Sequence, residues 1–443
     1  MTTTTVPREP FSLNTMLIAA RCVDIDLGHG RRYVVLHLSS SEDLEPFVEY
    51  WTRLSEQGTD PNVYYAPWFF LPAAKNLSKK PDWQILLVWR IERTLGNVPV
   101  LCGFFPFVQQ YRRQTGRVWS LWAHDYCFLS NPLIEDGREA DVWESVLKYA
   151  RQAEPRVSAI DCPLLSGEGL IHQGLLKTVR NNLSTTYQAD HYLRATTPYL
   201  SDTEELLKQS VAGHHLREFK RLRRKLEGEG QLEYRSLTTT KGVDLWIDWF
   251  LELEAAGWKA QAGTAIRQKE ADSRFFQEMV RAGLEQERLV MEGLFLNGKP
   301  IAMKVNLLAP PAAFAFKIAF DESLGKFSPG IQLELDSLQQ FGNHETIKWA
   351  DSCAAPGHPM IDRIWSERRV IQHLVIATGR GASDLIWGIR PFLRACRRMQ
   401  KRWINQSKDY WKRFRSKNAS PPLEVELTPK QTQKQPISHQ EPT

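Results

Sequence analysis

Four polar residues fall on two predicted strands that follow one another in the chain. Lys304 and Asn306 share one face of a strand at 301–308, and Lys317 and Asp321 lie on the small-residue face of a strand at 313–321. Residues two apart in a strand point to the same side. If the strands are neighbours, the four side chains converge on one surface. Burial lowers the pKa of a lysine and raises that of an aspartate, so such a surface suits acid and base chemistry.

A second group of candidates follows the next predicted strand, at 346–353. Asp351 stands at its end and is the preferred general base, with the alternatives His358, Asp362 and Glu367. Structural roles are the alternative. Asp351 would cap the turn that follows, His358 would be a surface residue, and Glu367 would pair with Arg363 at four-residue spacing. Asp351, Lys317 and Asp321 are therefore the predicted catalytic residues.

A candidate anion site lies at the start of a predicted helix. Ser328 suits the N-cap, Pro329 suits the first helical position, and Gly330 leaves the first-turn amides uncovered. Free amides and the helix dipole favour an anion at such a start. Ser328, Pro329, Gly330 and Ile331 are the predicted cofactor-binding residues. A capped helix that binds nothing is the alternative.

A loop after a predicted helix at 241–256 carries two further candidates. Lys259 and Thr264 would bind an anionic group, and with Lys304 and Asn306 they complete the predicted substrate-binding set. A plain surface loop anchored by Trp258 is the alternative.

The elements that position these residues follow from periodicity. Phe314, Phe316, Ile318 and Phe320 alternate with small residues, which predicts a strand with one bulky face. The helix from Pro329 has its apolar stripe at three-to-four spacing. Strands at 289–296 and 301–308 are joined by Asn297-Gly298, the favoured two-residue hairpin turn. Further helices are predicted at 273–285 and at 358–369.

The first half of the chain predicts a mixed α/β layer. Strands are expected at 32–38, 84–90, 100–108, 118–128 and 159–164, and helices at 41–56 and 141–152. Gly103 and Pro106 mark the strand at 100–108 as edge-like or kinked. The aromatic-dense stretch 62–71 favours core packing over a substrate wall.

Composition sets the broad class. The 443 residues suffice for two domains, and the hydrophobic content of 42% and charged content of 24% are ordinary for a globular protein. No apolar run reaches membrane length and no signal-type core stands at the N-terminus, which predicts a cytoplasmic location. The six cysteines form no CxxC pair, and Cys353 has no assignable His partner, so a nucleophilic role is disfavoured.

The positive charge is concentrated in two places. Six Lys or Arg residues fall within 217–225, and eleven fall within 390–417, interleaved there with aromatic residues. The second run is typical of a helix on a membrane surface, although nucleic acid, acidic polysaccharide or a merely solvated face would fit. Beyond residue 416 the composition predicts disorder.

Four segments carry a resemblance: HHLREFKRLRRKLEGEG from 214, FLELEAAGWKAQAGTAI from 250, LFLNGKPIAMKV from 294, and DESLGKFSPGIQLELDSL with WADSCAAPGHPMIDRIWSERR from 321 and 349. Together they resemble the GNAT-type acetyltransferases of cellulose or exopolysaccharide biosynthesis, which are related to Fem-type aminoacyltransferases. The resemblance covers about residues 45–380. It implies an α/β fold of two tandem GNAT-like halves at 31–200 and 201–385, after a loosely ordered lead at 1–30. A basic amphipathic helix at 386–415 and a tail at 416–443 follow.

The resemblance implies an N-acyltransferase that uses acetyl-CoA or another acyl-CoA and no metal. The absence of P-loop, HExxH and GxSxG motifs agrees with this. The expected partner is a small-molecule amine or saccharide acceptor, with membrane contact at the inner face through 390–415 and no specific nucleic acid. KFSPG replaces the glycine-rich phosphate turn of ordinary GNAT proteins. The alternatives are a non-catalytic partner of a membrane polysaccharide machine and an aminoacyl-tRNA-dependent transferase.

Overall fold

The structure, a computed structural model, describes residues 22–78, 81–92, 98–112, 116–199, 202–257, 263, 265–342 and 344–378. All of these residues belong to one compact unit. The predicted helix at 386–415, the tail and most of the lead lie outside the described residues. No helix in the described ranges has both the length and the apolar character needed to cross a membrane.

The first half contains eight strands and four helices among the described residues. In order they are β1 (Cys22–Asp26), β2 (Arg32–Leu38), α1 (Val48–Gln57), α2 (Pro67–Leu77), β3 (Trp83–Glu92), β4 (Val98–Arg112), β5 (Gly116–Leu121), β6 (Leu133–Ile134), α3 (Glu139–Gln152), β7 (Ala159–Ser166), α4 (Leu170–Asn181) and β8 (Thr186–Pro198). The helix predicted at 41–56 is split, because a 3-10 turn that contains Pro46 precedes α1.

The second half continues with a helical pair and a further α/β unit. Its elements are α5 (Thr203–Ser210), α6 (Gly213–Glu227), β9 (Leu232–Leu237), α7 (Val243–Ala256), α8 (Glu270–Glu285), β10 (Leu289–Leu296), β11 (Lys299–Ala309), β12 (Ala312–Phe320), α9 (Pro329–Gly342), β13 (Trp349–Asp351) and β14 (Glu367–Ala377). The Asn297-Gly298 hairpin is confirmed, with both residues at positive φ.

A single mixed sheet joins the two halves. Its order is β1-β2-β3-β4-β5-β7-β14-β8-β13-β12-β11-β10-β9, with β6 paired to β4. Two neighbouring pairs run parallel, β5 with β7 and β12 with β13, and the other pairs along this path are antiparallel. The predicted mixed α/β class is confirmed.

The element order repeats within the chain. Each half has a strand, two helices, three antiparallel strands, a helix and a strand: β2-α1-α2-β3-β4-β5-α3-β7 and β9-α7-α8-β10-β11-β12-α9-β13. In each repeat the last two strands pair in parallel over three residues, ending at Ser120↔Asp161 and at Phe314↔Asp351. The predicted tandem arrangement is therefore confirmed by the chain's own topology.

Two predicted elements are wrong. The helix expected at 358–369 is a 3-10 turn, Ile361–Arg363, followed by β14, which lies between β7 and β8. The residues after Arg369 are rich in β-branched side chains, and they pair with a strand on each side. Both features favour a strand over a helix. The edge-like alternative for 100–108 is wrong, because β4 lies between β3 and β5, whereas the register shift with β3 beside Gly103 fits the kinked alternative. Gly103 also allows the close approach of α3, since a Cβ there would lie 2.7 Å from the Val142 side chain.

Aromatic side chains pack the two halves together around β12. Phe314 contacts Tyr64 with ring centroids 5.6 Å apart, and Phe316 contacts Phe69 at 6.0 Å and Phe128 at 6.1 Å. All of the stretch 62–66 is buried, as are Phe69 and Phe70, so the prediction of core packing there is confirmed. This interface holds β12 against the first half.

His124 in this interface should make the fold sensitive to acid. It packs against Phe69, Trp122 and Phe275, and burial lowers its pKa from 6.5 to about 3. The unfolded chain therefore binds a proton near pH 6.5 before the folded chain does. Stability is full above that pH and falls by about 1.4 kcal/mol per pH unit below it, until about pH 3.

His124→Phe should remove this part of the acid sensitivity, as measured by urea unfolding at pH 7, 6 and 5. The matched control is His214→Phe at an exposed position of α6, which should keep the wild-type dependence. Equal slopes in the His124→Phe variant and the wild type would show that the buried imidazole does not resist protonation.

Candidate active site

The sheet opens where β12 and β13 part. They pair over three residues only. β12 then continues to Phe320, whereas the segment after β13 turns away from the sheet at Cys353, whose φ is 54°. A cavity of about 690 Å³ fills this opening. Its walls come from 315–318, 352–354 and 358–361, together with Gly330, Ile331 and Glu334 of α9, and Lys304 and Phe128.

A β-bulge sets which residues of β12 face which wall. Val305 pairs with Lys317 but Asn306 pairs with Ala315, which leaves Phe316 as the extra residue. Phe314 and Phe316 belong to the core between the halves, whereas Ile318 and Phe320 pack in a separate cluster with Leu333 of α9. The predicted single bulky face is therefore wrong, because strict alternation fails at the bulge.

The bulge also separates the four polar candidates. Lys304 pairs with Ile318 and faces α9, whereas Lys317 lies 4.9 Å from the centre of the Tyr126 ring on the other side. Both lysines line the cavity. Asp321 begins a 3-10 turn and accepts hydrogen bonds from the Ser323 amide at 2.9 Å and hydroxyl at 2.7 Å. The predicted convergence of all four residues on one surface is wrong.

Asp351 is fully buried between two arginines. One carboxylate oxygen lies 3.1 Å from a guanidinium nitrogen of Arg369 and 3.5 Å from one of Arg194, and the other accepts from the Cys353 amide at 2.8 Å. Asp351 itself does not line the cavity, although the residues that follow it, 352–354, do. Its catalytic role stays a prediction, and the geometry favours a structural role.

A buried ion pair forms part of the cavity wall. The Lys304 Nζ lies 2.9 Å and 3.0 Å from the two carboxylate oxygens of Glu334 and 3.1 Å from the Ser337 hydroxyl. The indole N–H of Trp365 donates to Glu334 at 3.2 Å. Lys304 and Glu334 are each 1% exposed. Sequence reasoning found Lys304 but missed Glu334.

A second carboxylate, Glu292, lies behind this pair. It accepts hydrogen bonds from the hydroxyls of Ser337 and Tyr234 at 2.7 and 2.5 Å and from the amide of Asn306. Burial raises the pKa of Glu292, although the charge of Lys304 opposes the shift. Asn306 thus supports the network behind the wall. An acid within an apolar run is the signal that would have found Glu292, whereas Glu334 alternates with other polar residues of its helix and carries no such signal.

The start of α9 is only partly as predicted. The helix begins at Pro329, and Ser328, Gly330 and Ile331 line the cavity. The Ser328 carbonyl accepts from the Ile331 amide at 3.0 Å, and proline has no N–H, so Gly330 supplies the remaining amide of the first three helical positions. A Cβ on Gly330 would lie 3.3 Å from Phe320 and 3.4 Å from Met360. The helix start therefore offers fewer free amides than the sequence suggests, and anion binding there stays a prediction.

Two more reactive side chains line the cavity. His358 accepts from the Ile361 amide through Nδ1 at 3.4 Å, which assigns its proton to Nε2, and burial lowers its pKa. The Cys353 thiol contacts the Tyr64 hydroxyl at 3.0 Å, and burial raises its pKa, which makes it a poor nucleophile.

The remaining candidates stand elsewhere. Asp362 accepts from Arg368 at 3.2 Å, and Glu367 is exposed at the start of β14. Lys259 and Thr264 lie outside the described residues.

Comparison with protein families gives one match. Residues 213–353 match the family described as an acetyltransferase (GNAT) domain. This span runs from α6 to Cys353, so it includes β12, α9 and both residues of the buried ion pair. None of the curated proteins matches the chain.

Several solved structures resemble the fold at low sequence identity. The crystal structure of FemX has 8% identity and a TM-score of 0.51, with 77% of this chain and 96% of that chain covered. A tandem GNAT protein from the clavulanic acid biosynthesis pathway has 12% identity and a TM-score of 0.42, with 79% and 99% covered. The C-terminal domain of a putative lysylphosphatidylglycerol synthetase from Agrobacterium fabrum has 11% identity and a TM-score of 0.45, with 76% and 93% covered. FemX therefore shares the fold.

Asp351→Asn should destabilise the protein by about 3 kcal/mol, because it leaves two buried guanidinium groups without their counter-charge. Urea unfolding at pH 7 measures the loss. The control is Asp362→Asn, whose pair with Arg368 is about a third exposed, and which should cost about 1 kcal/mol or less. Equal losses in the two variants would show that Asp351 does not hold the strands together.

Proposed function

We propose, from the match of residues 213–353 to the acetyltransferase (GNAT) domain family, that the protein is an N-acyltransferase that moves an acyl group from acetyl-CoA or another acyl-CoA to an amine. The observation that carries the proposal is the cavity in the opening between β12 and β13. Its volume of about 690 Å³ falls within the usual range of ligand pockets, roughly 300–1,000 Å³.

The cavity offers what an extended acyl donor requires. Beyond Phe314, β12 has β11 on one side and no strand of the described chain on the other. Backbone groups at such an edge can pair with the amides of an extended ligand. Ile318, Phe320 and Met360 supply apolar surface. The Gly330 amide and the positive end of the α9 dipole would face a diphosphate.

The chemistry demanded of the protein is limited. Bound acyl-CoA supplies an acyl group already activated as a thioester, so the protein needs to orient the amine, polarise the carbonyl oxygen and receive a proton. His358 lines the cavity with its Nε2–H available by the assigned tautomer. We assign it to polarising the carbonyl oxygen, because a neutral imidazole donates a hydrogen bond without adding charge.

The proposed acceptor is the amine of an amino sugar, an amino acid or a similar polar molecule, in the synthesis or modification of an exopolysaccharide. The acyl group is not an aminoacyl group under this proposal. The proposed acceptor and acyl donor are supported by the sequence resemblance in the four segments named above. The proposed location is the cytoplasm, with contact at the inner face of the membrane through 390–415.

Calorimetric titration with acetyl-CoA and longer acyl-CoAs tests the proposal. Wild-type protein should bind, and Gly330→Glu should lose binding by at least about 10-fold, because the added side chain fills the helix start and places a negative charge against the diphosphate. The matched control is Gly213→Glu, which adds the same charge at an exposed position with no atom within 4 Å of its Cβ.

The two possible failures have different meanings. A wild type that binds no acyl-CoA at millimolar concentration would contradict the proposed donor. Equal binding by wild type and Gly330→Glu would leave the donor in place but move its site away from α9.

A second candidate is aminoacyl transfer from tRNA, which the exposed face of α6 favours. Arg217, Arg224 and Lys225 are exposed there, beside Lys220 and Arg221, which pair with Glu204 and Glu218. An exposed basic helix face is the electrostatic footprint of nucleic-acid binding.

Charge reversal separates this candidate from the first. If α6 binds tRNA, the triple variant Arg217→Glu, Arg224→Glu, Lys225→Glu should weaken binding and reduce the slope of log affinity against log salt by about 2 to 3, because each neutralised phosphate contributes roughly 0.7–0.9 to that slope. Arg274→Glu, on the exposed surface of α8, is the control. An unchanged slope, with acyl-CoA consumed, would reject the second candidate.

A further inference from the structure

The buried network in the cavity wall has an unbalanced charge. Glu292, Glu334 and Lys304 are at most 1% exposed, and they supply two carboxylates and one ammonium group. Their other hydrogen-bond partners in the described chain are neutral: Ser337, Asn306, Tyr234 and Trp365. With all three groups ionised, the network carries one net negative charge, which a proton on Glu292 or a bound cation would balance.

Glu334 is the carboxylate of this network that lines the cavity. A carboxylate offers about four hydrogen-bond positions. Glu334 uses three of them: one oxygen accepts from Lys304 and Trp365, and the other accepts from Lys304. Glu334 also lines the cavity, whereas Glu292 lies behind Lys304 and Ser337.

A second observation points to a missing donor. The side-chain oxygen of Asn306 is buried and has no hydrogen-bond partner among the described residues, although its amide nitrogen donates to Glu292. Buried acceptors are almost always satisfied in folded proteins. This oxygen lies behind the wall, beside Glu292, so it marks the network as incompletely hydrogen-bonded without itself facing the cavity.

We propose that Glu334 binds the ammonium group of the acceptor and takes its proton, and that Glu292 acts through Ser337 and Lys304 as a positioning residue. This inference rests on the proposed function and deepens it. It defines the acceptor as a primary amine that enters in its charged form, and it assigns the proton transfer to a residue outside the predicted catalytic set.

The proposed step balances. The ammonium nitrogen gives one proton to the Glu334 carboxylate, and its freed electron pair attacks the thioester carbonyl carbon. A C–N bond forms, the C–S bond breaks, and the thiolate of CoA receives the second proton from nitrogen. The proton on Glu334 then passes to solvent, so the net products are an amide, CoA thiol and one proton.

Stability alone does not account for this network. Replacing a buried ion pair with well-packed apolar residues is often neutral or stabilising, so burial of three charges is weak evidence for a structural purpose. Ionisable groups held together at the edge of a cavity are typical of functional sites. Burial raises the pKa of Glu292, and the charge of the neighbouring Glu334 acts in the same direction.

The test follows CoA-thiol release from acetyl-CoA with glucosamine, lysine and ethanolamine as acceptor probes. Glu334→Gln keeps the shape of the side chain and removes its charge. It should leave acetyl-CoA affinity within about 3-fold and lower kcat/KM for the amine by at least about 100-fold. The rise in rate with pH that reports Glu334 ionisation should disappear.

Three further variants separate catalysis from structure. Glu334→Asp keeps the charge, so it should retain the pH-dependent rise at a reduced rate. Glu292→Gln should shift the apparent pKa of that rise without abolishing it, because the two carboxylates are coupled. Asp336→Asn is the matched control on the same helix. Asp336 pairs with Arg223 at 2.8 Å and does not line the cavity, so kcat/KM should not change.

The outcomes distinguish the role of Glu334 from the acyltransferase function itself. An active wild type with an equally active Glu334→Gln variant would overturn the role of Glu334 and leave the acyltransferase function standing. A wild type that releases no thiol with any amine would overturn both. If Glu334→Gln loses acetyl-CoA binding and melts early, Glu334→Asp decides: loss of the pH-dependent rise despite normal binding would reject the proposal.

Discussion

The buried carboxylate of Asp351 joins strands from both halves of the chain. It lies at the end of β13, and it pairs with Arg194 of β8 and Arg369 of β14. Its second oxygen holds the Cys353 amide and so fixes the turn by which the chain leaves the sheet. Because β13 is stopped at this residue, β12 continues without it. The opening that contains the cavity depends on this one charged junction.

The bulge at Phe316 gives the two ends of the cavity different chemistry. It turns Phe316 and Lys317 toward the aromatic interface with the first half, and it leaves Ile318 and Phe320 to pack beneath α9. Without it, regular alternation would carry Lys317 to the side of Lys304. The opening is therefore aromatic and cationic at one end, and it meets the Lys304–Glu334 pair at the other.

The parts that sequence predicts are those that local interactions determine. The Asn297-Gly298 turn, the start of α9 at Pro329 and the strand around Phe314 each follow from a few neighbouring residues. The parts that it misses depend on distant partners. Asp351 meets Arg194 across 157 positions of the chain, and β14 pairs with β7 and β8, which come much earlier in the chain. Glu334 escapes prediction because a helix pattern shows which residues are apolar but not which acid faces inward.

The two repeats show what an opening in the sheet requires. Asp161 occupies in β7 the position that Asp351 has in β13, and it is also held by two basic side chains, His373 at 2.6 Å and Arg112 at 2.7 Å. In the first repeat, however, the chain after β5 turns back onto β7, where the Ser130 amide donates to the Leu164 carbonyl. His124 and its aromatic neighbours fill the adjoining space. The charged junction is thus common to both repeats, and the path of the chain beyond it decides whether the strands enclose packed side chains or a cavity. In the first repeat, packed side chains fill that space and support β12. The cavity lies in the second repeat.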